Sequence, residues 1–194
     1  MAYNYGSHKI IQYSNVKKFF SKIKKKKNII QCHGVFDLVH PGHIRHFVHC
    51  RSKADTLIVS LTPDKFIKKG NYRPFIPQNM RASNLAALEM VDFVIIDENK
   101  FPYKLLNLVK PNYFAKGMEY FIQKNPLTER EKKIVEKNGG KMIFSPGDFV
   151  MSSTKIINDT KLDLRYEKLK ALMDVEKINF KDLKKILKTL DKAK

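Results

Sequence analysis

Residues 33 to 43 read His33-Gly34-Val35-Phe36-Asp37-Leu38-Val39-His40-Pro41-Gly42-His43, a run that follows an apolar stretch directly and leads into a helix beginning near Pro41. A helix N-terminus offers unpaired N–H groups and positive dipole potential to an anion, and ligands of open parallel sheets lie beyond the carboxyl ends of the strands. Gly34 and Gly42 let backbone come close to such a ligand. His40 and His43 span the first helical turn, where imidazole N–H donors could hold α- and β-phosphate oxygens and stabilise charge developing as an α-phosphorus is attacked. Asp37, in the loop, is placed to orient a magnesium ion or the acceptor, since hard Mg²⁺ prefers carboxylate and phosphate oxygens. His40, His43, His46 and His49 recur every third residue and so resemble a metal ladder. Each such step falls about 60° short of a full helical turn, so His43 and His49 diverge by about 120° and do not readily share one ion. No metal ligand is therefore assigned, and His46 and His49 read as polar or packing residues of the helix.

A second hydroxyl-rich turn, Val150-Met151-Ser152-Ser153-Thr154-Lys155, precedes Ile156 and Ile157 and reads as a capped helix start. Alone it is an ordinary N-cap; after the last strand of a parallel sheet it is a second place where hydroxyls and free N–H groups converge on phosphate.

The elements that must position these residues show in the hydrophobic pattern. Short apolar runs at Ile29 to His33, Thr56 to Leu61, Asp92 to Ile96, Tyr113 to Lys116 and Met142 to Ser145 alternate with helical stretches. Pro77, Pro102 and the pair Asn125-Pro126 mark helix starts, and Gly139-Gly140 a stop. Strands joined by helices run parallel through right-handed crossovers, which predicts an α/β, Rossmann-like, doubly wound parallel five-stranded sheet. Val16, Phe19, Phe20 and Ile23, after Ser14 and Asn15, give an amphipathic helix ahead of the first strand. Beyond about Thr160 the strand signals stop, and Phe180, Leu183, Ile186, Leu187 and Leu190 form an apolar stripe with Asn179 as cap. The organisation expected is a main domain over 1–160 and a helical C-terminal extension over 161–194, whose stripe would pack on that domain or on a second copy in a homodimer.

Composition sets the outer limits. With 194 residues, 43% of them hydrophobic, the chain can bury a substantial core, and 38 basic against 19 acidic residues give a net charge of +19. That sign suits nucleic acid, acidic lipid or a phosphorylated small molecule alike, and a solvated surface is the plainer reading, since the bases are spread along the chain apart from the run Lys24 to Lys27. No apolar run approaches the roughly 20 residues of a membrane span, and the start lacks the apolar core of a secretory signal, so a cytoplasmic protein is expected. Cys32 and Cys50, without CxxC spacing, read as reduced thiols.

The stretch GVFDLVHPGH resembles the GxFDxxHxGH signature of the cytidylyltransferase-like nucleotidyltransferase superfamily, and further landmarks follow in order across residues 8–160. Within it the chain looks most like the nucleotidyltransferase domain of bifunctional heptose kinase/adenylyltransferase proteins. The supporting pieces are HGVFDLVHPGH, the TPD of Thr62 to Asp64, Lys69-Gly70 with Arg73-Pro74, the RxxxLxALExVD of Arg81 to Asp92, and AKGMEY of Ala115 to Tyr120. The resemblance implies that His40 and His43 bind the triphosphate. Gly34, Val35, Phe36, Asp37, Gly42, Lys116 and Gly117 would line the nucleotide site, and Ser152, Ser153 and Thr154 would hold the β- and γ-phosphates. It places Arg51 with the two histidines as a catalytic cation, and Asp37, Arg45 and Arg81 against the acceptor. Relatives acting on glycerol or choline phosphate carry Arg-Thr-x-Gly before the serine motif, where this chain has Ser145-Pro146-Gly147-Asp148. Glycerol-phosphate relatives also place an acidic residue directly after the Gly matching Gly117, where this chain has Met118 and then Glu119.

The activity expected from the resemblance is transfer of a nucleoside monophosphate from a nucleoside triphosphate, ATP favoured, to a sugar 1-phosphate, with Mg²⁺ accompanying the nucleotide and pyrophosphate released. A separate sugar kinase would supply the acceptor. The alternative is a CTP-dependent cytidylyltransferase for a polyol or amino-alcohol phosphate. A rival of another class is a basic nucleic-acid-binding module, suggested by charge and by the likeness of HPGH and MSSTK to class I aminoacyl-tRNA synthetase signatures. The chain is too short for a synthetase's tRNA-binding domains, so no nucleic-acid partner is expected.

Overall fold

All six residues of Thr56–Leu61 are buried, as befits a strand covered on both faces, and that burial marks the middle of the fold. The computed structural model describes residues 7–23, 27–68, 73–122 and 125–145. The serine turn with Ser152, Ser153 and Thr154, the Lys69-Gly70 pair, Pro146 to Asp148, Lys24 to Lys26 and the extension expected over 161–194 lie outside them. In chain order the elements are α1 (Val16–Ile23), β1 (Ile29–Gly34), α2 (Pro41–Arg51), β2 (Thr56–Leu61), α3 (Gln78–Ala86), β3 (Phe93–Ile96), α4 (Tyr103–Val109), β4 (Tyr113–Gly117), α5 (Met118–Ile122), α6 (Pro126–Lys137) and β5 (Lys141–Ser145). The five strands make one parallel sheet in the order β3-β2-β1-β4-β5. The expected α/β, Rossmann-like sheet is present, with strand limits within a residue of those read from the sequence.

Strand alternation sends side chains to two layers. Ile30, Cys32, Leu57, Val59 and Leu61 meet Phe47 and Cys50 of α2 and Ala82, Leu85 and Ala86 of α3 on one face. Ile29 and Ile58 meet Val16 and Phe20 of α1 and Leu105 and Val109 of α4 on the other. A third cluster, Leu106, Phe114, Val135 and Met142, seats α6 beside α4. Helix ends carry the expected signals: Asn125 caps α6 by accepting from Leu127 N at 2.9 Å, and Gly139 ends it at φ +79°. Gly140 is needed for close approach, because a Cβ there would lie 2.3 Å from Pro111 O.

Two features were not legible in the pattern. Residues Met118–Ile122 form the short helix α5 directly after β4. The segment before α1 lies along the outer edge of β3, with Ile10 bridged to Val94, Ile11 N donating to Val94 O at 2.9 Å, and Lys9 Nζ donating to Leu88 O and Val91 O at 3.1 and 2.8 Å. No helix among the described residues is long and apolar enough to cross a membrane.

Candidate active site

The chain order leaves β1 toward β3 and then returns to place β4 on the other side of β1. In open parallel sheets the ligand crevice lies beyond the carboxyl ends of the strands at such a switch point, here β1 and β4, and the loop 35–40 emerges there from β1. Phe36, at φ +49°, turns the loop in the left-handed region, and its ring folds back so that a Cβ on Gly34 would meet it at 3.0 Å. A bulky residue in that conformation is held by its surroundings; here the ring packs edge-on to His43 at 5.0 Å and against Phe47 at 5.4 Å.

His40 is the N-cap of α2, and its Nδ1 accepts from Gly42 N at 3.2 Å. A ring nitrogen that accepts carries a lone pair, so the neutral imidazole has its proton on Nε2. Burial lowers the His40 pKa below the ordinary histidine value, which keeps the ring neutral at pH 7. The His40 and His43 ring centroids are 3.7 Å apart, with planes inclined at 30°. The two tilted imidazoles thus meet at the N-terminus of α2, with a Pro at its first position and Gly42 beside it, the end of a helix that favours negative charge. Arg45 lies exposed on the same first turns of α2.

Asp37 is 2% exposed, and its carboxylate faces protein on every side. Oδ2 lies 2.7 Å from Arg73 Nε and accepts from Phe75 N at 3.1 Å; Oδ1 accepts from Ile76 N at 3.0 Å. It pins the segment before α3 onto the loop, and so does not fit the expected role of orienting magnesium. Among the described residues no group of three or more His, Cys, Asp or Glu could hold a metal.

Arg81 departs from the acceptor contact expected of it. It has no exposed surface, and its guanidinium donates to Ile76 O at 2.9 Å, Thr62 O at 2.9 Å, Val35 O, and Asp64 Oδ1 at 2.6 Å. It braces the loops after β1 and β2 from within. Arg51 also departs from expectation, because it ends α2, about 12 Å along the helix from His43. There it donates to Ala54 O at 2.9 Å and approaches Asp92 at 3.8 Å, at the amino ends of the strands and away from the crevice.

Lys116 and Gly117 close β4 beside the crevice. The Lys116 ammonium is 2.6 Å from Glu131 of α6, both side chains buried, and 4.4 Å from the ring centroid of the exposed Tyr120. A Cβ on Gly117 would meet the Glu119 carboxylate at 2.1 Å. Burial raises the Glu131 pKa, against the lowering effect of Lys116.

Two histidines have partners that spacing alone did not reveal. His33 places Nδ1 3.0 Å from Ser60 Oγ and Nε2 3.1 Å from Thr62 Oγ1. Burial, with the Lys116 charge second, lowers its pKa to about 3. His46 Nδ1 is 2.7 Å from Ser145 Oγ, and its Nε2 is 3.8 Å from Cys50 Sγ, so α2 is tied to the end of β5. The signal available in sequence was polarity at strand ends, but pairing across strands needs the register.

The Cytidylyltransferase-like family model matches residues 31–159, and the chain belongs to that family and so to the nucleotidyltransferase enzymes. Among curated proteins it is 40% identical over 120 residues to the bifunctional protein HldE of Aliarcobacter butzleri (strain RM4018), covering 60% of this chain and 25% of that protein. It is 37% identical over 139 residues to HldE of Campylobacter fetus subsp. fetus (strain 82-40), covering 70% and 28%. For HldE of Escherichia coli O1:K1 / APEC the identity is 33% over 142 residues, covering 72% and 29%. The chain thus spans about a quarter of the length of the curated relatives it matches. Similar folds are the lipopolysaccharide core biosynthesis protein from Thermoplasma volcanium GSS1 (TM-score 0.53, 23% identity, 64% of this chain and 99% of that one) and pantoate-beta-alanine ligase from Francisella tularensis (TM-score 0.51, 21% identity, 78% and 77%).

Proposed function

We propose that this chain transfers the adenylyl group of ATP to a sugar 1-phosphate. The observation that carries the reading is the close, tilted His40–His43 pair at the start of α2, its first ring held by Gly42 N as the Nε2–H tautomer. An acceptor phosphate oxygen attacks the α-phosphorus in line. The new O–P bond forms as the bond from the α-phosphorus to the bridging oxygen breaks, and that electron pair leaves with pyrophosphate. A phosphate monoester is already anionic at neutral pH, so no general base is needed; the protein aligns two anions and offsets their repulsion. Donors from His40 Nε2 and His43, with the α2 dipole, act on charge that grows at the phosphates. Arg45 is the cation of α2 assigned to the incoming phosphate. Magnesium enters as the metal–nucleotide complex, and the serines at 152 and 153 with Thr154 are assigned to the β- and γ-phosphates.

Sugar phosphate as acceptor, with ATP, is supported by the three HldE relatives, and Met118 in place of an acidic residue after Gly117 favours it over a glycerol phosphate. A kinase acting on the sugar is the class of reaction that supplies such an acceptor. The test is pyrophosphate release by the pure protein with magnesium and each of ATP, CTP, GTP and UTP, against a panel of sugar, polyol and amino-alcohol phosphates. Turnover is expected with ATP and a sugar 1-phosphate. Turnover confined to CTP with a polyol or amino-alcohol phosphate would replace this reading with the cytidylyltransferase one, and silence throughout would leave a nucleotide binder.

A further inference from the structure

A cavity of about 560 Å³ opens at the carboxyl ends of β2 and β3, lined by Tyr13, Asp64, Asn79, Ile96, Asp97 and Glu98 among others. Its size is that of a small-molecule site, and its character is unlike the rest of this strongly basic chain, because carboxylates outnumber ammonium groups in the lining. Asp97, the residue after β3, is 1% exposed. Its Oδ1 accepts from Asn99 N at 2.9 Å and Asn99 Nδ2 at 3.1 Å, whereas its Oδ2 is buried with no hydrogen-bond partner among the described residues. A buried carboxylate oxygen left unpaired is costly, and such a group calls for a donor from outside the fold. Burial raises the Asp97 pKa accordingly. Asp64 is already committed to Arg81, at 2.6 Å, so Asp97 supplies the spare acceptor.

We propose that this cavity receives the hydroxyl-bearing carbon chain of the acceptor, with Asp97 Oδ2 accepting from a sugar hydroxyl; this rests on the sugar-phosphate reading above. The chemistry selects neutral donors. Phosphates are repelled by the acidic lining, which leaves them to the histidine cradle. A cation would find one spare oxygen, since Asp64 is taken and Glu98 stands exposed. Reach is also suitable: β3 lies two strand spacings from β1, about 10 Å, a span that the carbon chain of a phosphorylated sugar covers. The cavity and the phosphate loop share a wall, because Asp64 holds the same Arg81 guanidinium that donates to Val35 O. Asp97 is thus a specificity-determining residue for the sugar.

The test uses the full chain with ATP, magnesium and three acceptors, mannose 1-phosphate, a heptose 1-phosphate and glycerol 3-phosphate, followed by pyrophosphate release. Asp97→Asn keeps an oxygen for Asn99 and turns the spare acceptor into a donor. Asn79→Trp fills the cavity from the exposed side of α3 and leaves Asp97 untouched. Both variants are expected to raise KM for the best sugar phosphate tenfold or more, with KM for ATP within twofold of wild type. Acceptor KM unchanged in both overturns the subsite and leaves the sugar-phosphate reading standing. A rise in the ATP KM in place of the acceptor KM assigns the cavity to the nucleotide and also overturns it. Wild-type silence on both sugar phosphates overturns the parent reading, and the subsite falls with it.

Discussion

Asp37 and Arg73 form a buried ion pair, 2.7 Å from Oδ2 to Nε, with side chains 1% and 7% exposed. The pair joins the loop between β1 and α2 to the segment that enters α3, and its acidic member also accepts from Phe75 N and Ile76 N. Removing one partner strands the other's charge in the interior, which costs about 3 to 5 kcal/mol. Arg73→Ala should therefore lower the urea midpoint markedly, and Arg73→Lys should recover part of the loss. A midpoint unchanged in Arg73→Ala would show that the loop is held elsewhere.

His40 caps α2, and the proposed function gives it a second, separable duty, donation from Nε2. Asparagine is among the best N-caps, and Ala in place of a cap costs about 1 kcal/mol. His40→Asn should thus keep near-normal thermal stability while turnover falls a hundredfold or more, and His40→Ala should lose both. His43→Ala should lower turnover by two or more orders of magnitude with the circular dichroism spectrum retained, as loss of one transition-state donor costs about 3 to 4 kcal/mol. Near-normal turnover in either His40→Asn or His43→Ala refutes the assigned chemistry.

Strand identity was legible because both-sided burial writes continuous apolar runs such as Thr56–Leu61, and the start of α2 was legible because Pro41 pre-sets the first helical turn. Partnerships between distant charges were not. Arg81 looks like any surface arginine on an Ala- and Leu-rich helix until the carbonyls of Val35, Thr62 and Ile76 are seen around it. Arg51 sits within the same helix as the histidines, and only the rise of α2 puts it at the opposite end of the sheet. Spacing also suggested that Asp37 was available, whereas Arg73, Phe75 and Ile76 occupy it from nearly forty residues away.

Acid should weaken the fold through His33. Its pKa is about 3 in the folded protein against an ordinary 6.5, so between those values the unfolded chain binds the proton more readily. The contribution is complete above pH 6.5 and is lost as pH falls toward 3, with a slope of up to about 1.4 kcal/mol per pH unit. His33→Asn, neutral throughout and still able to meet Ser60 and Thr62, should flatten the fall in unfolding free energy between pH 7 and pH 5. An identical slope in both proteins would remove His33 from the account.

Two glycines should answer differently to alanine. At Gly140 the new methyl meets the carbonyl of Pro111 at 2.3 Å and Val135 at 3.0 Å, and backbone yields poorly, so a loss of about 1 to 3 kcal/mol is expected in denaturant unfolding. At Gly34 the neighbour is the Phe36 ring at 3.0 Å, which can shift, but only by moving the loop that carries the histidine cradle. Gly34→Ala should cost more in kcat than in stability. The reverse order would place the strain outside the loop.

The stretch around Ile10 and Ile11, laid along Val94 and fastened by Lys9, shields the β3 edge of the sheet. Without it β3 would present bare amides and carbonyls to any other extended chain, a template for aggregation. Trimming the first dozen residues to tidy an expression clone should therefore give material that clumps at high concentration even where the nucleotide crevice is intact, and a tag is better attached with this leader left whole.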